Sequence, residues 1–133
     1  ALVEWYIQRG VVGLFAVCQS SEMFFLSLQE RLRLSELVVQ YAAGRVGVIA
    51  SGQISDELEA QAEQVGRMAE TGVGAVVLVT NRFAAADQPD SVWIRNVERL
   101  LERLLGLFVV GDVDEALHEE LPVLAEDRHP HIR

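Results

Sequence analysis

The chain has 133 residues, is half apolar, and carries a formal net charge of −9. That composition excludes a disordered protein, and no apolar run reaches the roughly 20 residues that a membrane-spanning helix needs. The acidic balance argues against nucleic acid and anionic membrane surfaces as partners, because both require a positive field.

All 11 basic residues counted as lysine or arginine are arginines, so these residues offer no side-chain amine for Schiff-base chemistry. The single cysteine, Cys18, has no partner within the chain, and a reducing cytoplasm is the expected setting.

In chain order, residues 1–9 read as the end of a helix stopped by Gly10. Val11 to Val17 is a continuous apolar run, as expected of a strand buried on both faces. It ends in a polar tip, Cys18, Gln19, Ser20, Ser21 and Glu22. Ser27 followed by Glu30 predicts a capping box, and Leu28, Leu32, Leu34, Leu37, Val38 and Tyr41 predict the buried stripe of the helix it opens. Gly44 ends that helix, and Val46 to Ser51 reads as a second buried strand.

Ser55 is the expected cap of a third helix, with Leu58, Ala62, Val65, Met68 and Ala69 facing inward and Gly72 as its stop. Gly74 to Thr80 is a third strand. After a loop, Asp90 or Ser91 is expected to cap a fourth helix through Trp93, Ile94, Val97, Leu100, Leu101 and Leu104. Gly106 to Val110 reads as a fourth strand, Val113 to Leu121 as a last short helix, and residues 125–133 as a polar tail.

The strand starts recur about every thirty residues, the size of a βα unit, so parallel strands with right-handed helical crossovers are predicted. Two architectures fit this repeat: a small open doubly wound sheet, or a portion of a (β/α)8 barrel, which in full takes about 250 residues.

In a barrel, side chains at the C-terminal strand ends form the active site, which makes Ser20, Ser21 and Glu22 candidates. The plainer reading is a turn whose polar groups satisfy the backbone. Gly52 and Gln53, and Thr80 and Asn81, end the next two strands on the same terms. Cys18 reads as a nucleophile or, more simply, as a small buried hydrophobe. His118, His129 and His131 with Glu126 and Asp127 match no zinc spacing, and no metal ion or organic cofactor is expected. Trp5, Phe24, Phe25 and Trp93 read as packing or interface residues rather than a base-stacking platform.

The stretch "ALVEWYIQRGVVGLFAVCQSSEMFFLS", followed at matching spacing by "GRVGVIASG" and "AETGVGAVVLVTNRF", resembles the dihydrodipicolinate synthase / N-acetylneuraminate lyase family of class I aldolases. The likeness runs from Ala1 to about Phe108. It implies an α/β fold in which residues 1–110 form part of a (β/α)8 barrel, about strands two to five with their helices, while residues 111–133 do not follow the family.

The likeness also implies a reaction. Pyruvate or a related 2-keto acid condenses with a lysine and is added to, or cleaved from, an aldehyde, in an oligomeric enzyme. The tip Cys18–Glu22 corresponds to the family's hydroxyl-bearing motif. Anchoring on Glu22 puts Gln19 and Ser20 at the paired positions, and a shift by one puts Ser20 and Ser21 there. Such groups hold the keto-acid carboxylate and relay a proton. The family's Schiff-base lysine has no counterpart in this chain, its fifth-strand tyrosine falls at Phe108, and its tyrosine pair falls near Arg82 and Phe83. The competing expectation is a non-catalytic α/β binding module of flavodoxin-like topology.

Overall fold

A computed structural model describes residues 2–108 of the chain. Helix α1 spans Leu2–Gln8, strand β1 Gly13–Ala16, helix α2 Leu28–Ala42, strand β2 Gly47–Ser51, helix α3 Leu58–Ala69, strand β3 Ala75–Val77, and helix α4 Asp90–Phe108. Short 3₁₀ turns cover Gln19–Ser21, Met23–Phe25 and Thr80–Arg82.

The three strands are parallel and lie in the order β1-β2-β3. Phe15 stands opposite Ile49, Ile49 opposite Ala75, and Ser51 opposite Val77. Each crossover therefore moves one strand in the same direction, and the order never reverses as it does in a doubly wound sheet.

The strands are short and apolar, and alternate residues face opposite ways. Ala16, Val48 and Ala50 pack with Leu32 and Ala42 of α2 and Met68 of α3 in one cluster, so both helices cover the same face. A second cluster joins Ala62 and Val65 of α3 to Phe83, Leu100 and Leu104. Burying a side chain such as Leu100 or Met68 contributes about 1.5–3 kcal/mol. On the other face of the sheet, Phe15 is 46% exposed.

The capping box of α2 is present. The Ser27 hydroxyl accepts from the Glu30 amide at 3.3 Å, and the Ser27 amide donates to the Glu30 carboxylate at 2.8 Å. At the far end the chain leaves through two left-handed residues, Ala43 at φ 49° and Gly44 at φ 70°.

Four expectations are corrected. Gly106 to Phe108 continue α4 instead of starting a strand. Val97, Leu100 and Leu104 recur at helical spacing against α3, and nothing in that packed stripe interrupts the helix before Gly106. Ser55 does not cap α3: the N-cap is Glu57, and the Ser55 hydroxyl instead accepts from the Glu57 amide at 3.2 Å in the preceding turn. Asp90 is the first helical residue of α4, where its carboxylate faces the positive end of the helix dipole. Leu34 and Tyr41 lie on the outer side of α2, exposed, because the stripe packed into the core runs through Leu28, Leu32, Val38, Val39 and Ala42.

The predicted helix Val113 to Leu121 and the residues His118, Glu126, Asp127, His129 and His131 lie outside the described residues, as do Val109 and Val110.

Candidate functional site

The polar tip begins with an unusual backbone. Val17, almost fully buried, has φ 50°, a left-handed value that a β-branched residue adopts only at a cost of about 1–3 kcal/mol. Its carbonyl accepts the Ser51 amide at 3.2 Å, which ties this residue to the end of β2. The chain then turns through Gln19–Ser21, with the Ser21 amide donating to the Cys18 carbonyl at 3.0 Å. Glu22 is also left-handed, at φ 60°, and a second turn inserts Met23 into the core.

This path sorts the candidate residues. The Ser21 hydroxyl donates to the Cys18 carbonyl at 2.7 Å and serves its own turn. Ser20 faces the other way, its hydroxyl 3.0 Å from the Cys18 sulfur. Gln19, Ser20 and Cys18 line a cleft of about 440 Å³ at the C-terminal ends of the strands, whereas Ser21 and Glu22 do not. Phe15 and Val77 form the apolar floor of this cleft, and Ser51 and Thr80 complete its polar wall. No charged side chain lines it. Its polar groups are hydroxyls, one thiol, one amide and the backbone.

Cys18 is the titratable group of the cleft. The hydrogen bond with Ser20 is the main cause that pulls its thiol below the usual range, against the opposing effect of burial, and Ser21 adds to the pull.

Behind the cleft, buried polar side chains stitch the strand ends together. Gln53 donates to the Val79 carbonyl at 3.3 Å, and Gln61 donates to both the Ser55 and Arg82 carbonyls, at 3.0 and 2.9 Å. Arg82 pairs with Asp56 at 3.0 Å and lies 5.0 Å above the Phe24 ring, so it links the loops after all three strands. The Trp93 indole donates to the Thr80 carbonyl at 2.9 Å. Arg31, only 2% exposed, reaches from α2 to the Gly52 carbonyl at 3.3 Å.

Sequence reasoning missed Arg31 and Gln61 as interior residues, since charged and amide side chains on a helix read as its outer face. It also missed Ser51, which it treated only as the last residue of a strand. The period-two alternation from Ile49 is the signal that puts Ser51 on the cleft face.

Among the described residues, no group of three or more His, Cys, Asp or Glu side chains is placed to hold a metal ion. No described helix is long and apolar enough to cross a membrane.

Known proteins share both the sequence pattern and the fold. The family model described as the dihydrodipicolinate synthetase family matches residues 1–90. A 4-hydroxy-tetrahydrodipicolinate synthase from Brucella abortus is 35% identical over 88 residues, which covers 66% of this chain and 30% of that protein. The chain thus spans about a third of the length of such relatives.

A crystal structure of a dihydrodipicolinate synthase superposes with a TM-score of 0.65 at 27% identity, covering 76% of this chain and 34% of the other. The chloride-inhibited dihydrodipicolinate synthase of Acinetobacter baumannii, solved with pyruvate, superposes with a TM-score of 0.67 at 24% identity, over 77% of this chain and 34% of that one. The stretch matched by the family model includes the strand tip and all three strands, and the chain belongs to the dihydrodipicolinate synthetase family.

Proposed function

We propose that these residues form the carboxylate-binding side of a 2-keto-acid site, with pyruvate as the simplest ligand, in a Schiff-base aldolase or lyase built on a (β/α)8 barrel. The observation that carries this reading is the strand tip of β1. Its backbone turns so that Ser20 opens onto a cleft shared with Ser51 and Thr80, at the strand end where barrel enzymes keep their chemistry.

A 2-keto acid presents a carboxylate and an adjacent carbonyl oxygen, both hydrogen-bond acceptors. Hydroxyl and amide donors on an apolar floor match these groups without a fixed counter-charge. In this reading Gln19 and Ser20 contact the carboxylate. Ser21 and Glu22, which hold the turn from outside the cleft, position them.

The reactive amine is a lysine that the 133 residues do not contain, so the carbon–carbon chemistry belongs to the rest of the enzyme. Where the family resemblance puts a tyrosine pair, this chain has Arg82, engaged with Asp56, and Phe83, buried edge-on against Trp93 at 5.7 Å. No phenolic hydroxyl stands at either position, so proton relay falls to the hydroxyls of the cleft. The same reading makes the aldehyde the second small-molecule partner and the enzyme a cytoplasmic homo-oligomer. Consecutive strand order, with α2 and α3 on one face, favours it over the flavodoxin-like binding module.

Borohydride reduction of the full-length protein with pyruvate tests the chemistry. A trapped adduct on lysine is expected. Absence of any adduct in a correctly folded full-length protein sinks the Schiff-base mechanism.

A further inference from the structure

Three described residues other than glycine hold a positive φ: Val17 at 50°, Glu22 at 60° and Ala43 at 49°. Ala43 caps the C-terminus of α2 and Glu22 ends the turn Gln19–Ser21, places where a left-handed residue is ordinary. Val17 has no such place. It follows the last residue of β1, and it is β-branched, the side-chain type least suited to that conformation.

The consequence is read from the faces of β1. Successive side chains of a strand point to opposite faces. Phe15 lines the cleft, and Ala16 belongs to the core shared with α2 and α3. Regular alternation would return Val17 to the cleft and send Cys18 into the core. Instead Val17 is 1% exposed and belongs to the same core cluster as its neighbour Ala16, while Cys18, Gln19 and Ser20 line the cleft in succession. One left-handed residue thus shifts the phase of the strand. The register with β2 ends at the same point. Ala16 stands opposite Ala50, whereas Ser51 stands opposite Val77 of β3 and its amide reaches back to the Val17 carbonyl at 3.2 Å. That hydrogen bond and the buried side chain hold the backbone against its strain.

We infer that Val17 is a positioning residue of the keto-acid site: its left-handed backbone, anchored by its own buried side chain, turns Gln19 and Ser20 onto the cleft wall. This inference rests on the keto-acid reading and names the residue that sets the geometry of that site. Val17 does not itself line the cleft, and it acts through the residues that follow it.

The test compares pyruvate titrations of the full chain, followed by amide resonances, with those of Val17→Ala and Val17→Gly. Alanine keeps the strain and loses the anchor, so Val17→Ala is expected to bind pyruvate about tenfold more weakly, the loss of one hydrogen bond to a charged group. Glycine adopts the left-handed conformation without strain, so Val17→Gly is expected to keep more of the affinity than Val17→Ala, although it removes more of the side chain. Urea midpoints are expected to invert in the same way, with Val17→Gly the more stable of the two, opposite to the order in an ordinary strand. A role in core packing alone predicts the reverse order in both measurements.

If the parent binds pyruvate and both variants bind it equally well, or Val17→Gly is the weaker binder, the keto-acid site stands and the role of Val17 falls. If the parent does not bind pyruvate, the keto-acid reading falls and this inference falls with it. A measurement on the parent needs no variant to fold: a strong nuclear Overhauser effect between the Val17 amide proton and its own Hα is expected of a left-handed residue. A weak one, as in extended backbone, overturns the inference and leaves the keto-acid reading untouched.

Discussion

Gly52 offers the sharpest test of how the strand ends are packed. A Cβ added there meets a γ-methyl of Val65 and a γ-methyl of Val76, each at 2.7 Å, and the Val65 Cα at 3.3 Å. Both valines are β-branched and stiff at χ1, so neither methyl swings away cheaply. The backbone atom of α3 cannot move without lifting the helix from the sheet. Overpacking of this kind costs about 1–3 kcal/mol. Two hydrogen bonds are also at stake, from the Gly52 amide to Val77 at 3.0 Å and from Arg31 to the Gly52 carbonyl at 3.3 Å, and each such bond contributes about 1 kcal/mol net.

Gly52→Ala is therefore expected to destabilise the protein by about 2–4 kcal/mol. Urea unfolding of the full chain, analysed by linear extrapolation, measures it. Val76→Ala in the same background removes one of the two clashes and is expected to recover about 1 kcal/mol or more as a coupling energy. A Gly52→Ala protein within about 0.5 kcal/mol of its parent would refute the packing described, as would a double variant with no recovery.

Two further outcomes follow from buried and capping groups. Arg31 is desolvated, which lowers its pKa, and among the described residues it has no carboxylate partner and a buried Nε without any partner. Arg31→Met is therefore expected to stay within about 1 kcal/mol of the parent, or to exceed it, in the same unfolding assay. A loss of about 3 kcal/mol or more would reveal a counter-charge that this account lacks.

Ser27→Ala removes the cap of α2 and is expected to cost about 1 kcal/mol. It also changes the acid limb of stability. The Ser27 hydroxyl and amide pull the Glu30 pKa below the usual range, so this contribution is present above the unfolded glutamate pKa of about 4.3 and is lost as pH falls through the lower folded value. Stability measured from pH 6 down to about 3 should fall less steeply in Ser27→Ala than in the parent across that window. Equal slopes would show that the capping box makes no contribution to it.

Much of the fold was legible because local signals agreed with tertiary packing. The Ser27–Glu30 pair and the glycine stops each had one physical reading, and the period of βα units predicted the first three parallel strands. Gly106–Phe108 was not legible, because a short apolar run bounded by glycines serves a strand and a buried helix end equally well.

Arg31 reads as an exposed helical charge until the sheet is placed against α2. At the tip, the choice between Ser20 and Ser21 depends on the left-handed backbone of Val17, and a β-branched residue is the last that sequence rules would put there. The family resemblance carried the chemistry that composition and spacing left open.

The central claim is that the cleft between the tips of β1, β2 and β3 binds a 2-keto acid. It is tested most directly by titrating pyruvate into the isotope-labelled full chain and following the amide resonances. The account predicts saturable shifts centred on Cys18, Gln19, Ser20, Ser51 and Thr80, with affinity reduced about tenfold in Ser20→Ala by loss of one hydrogen bond to a charged group. No saturable shift, or shifts centred elsewhere and unchanged in Ser20→Ala, would contradict it.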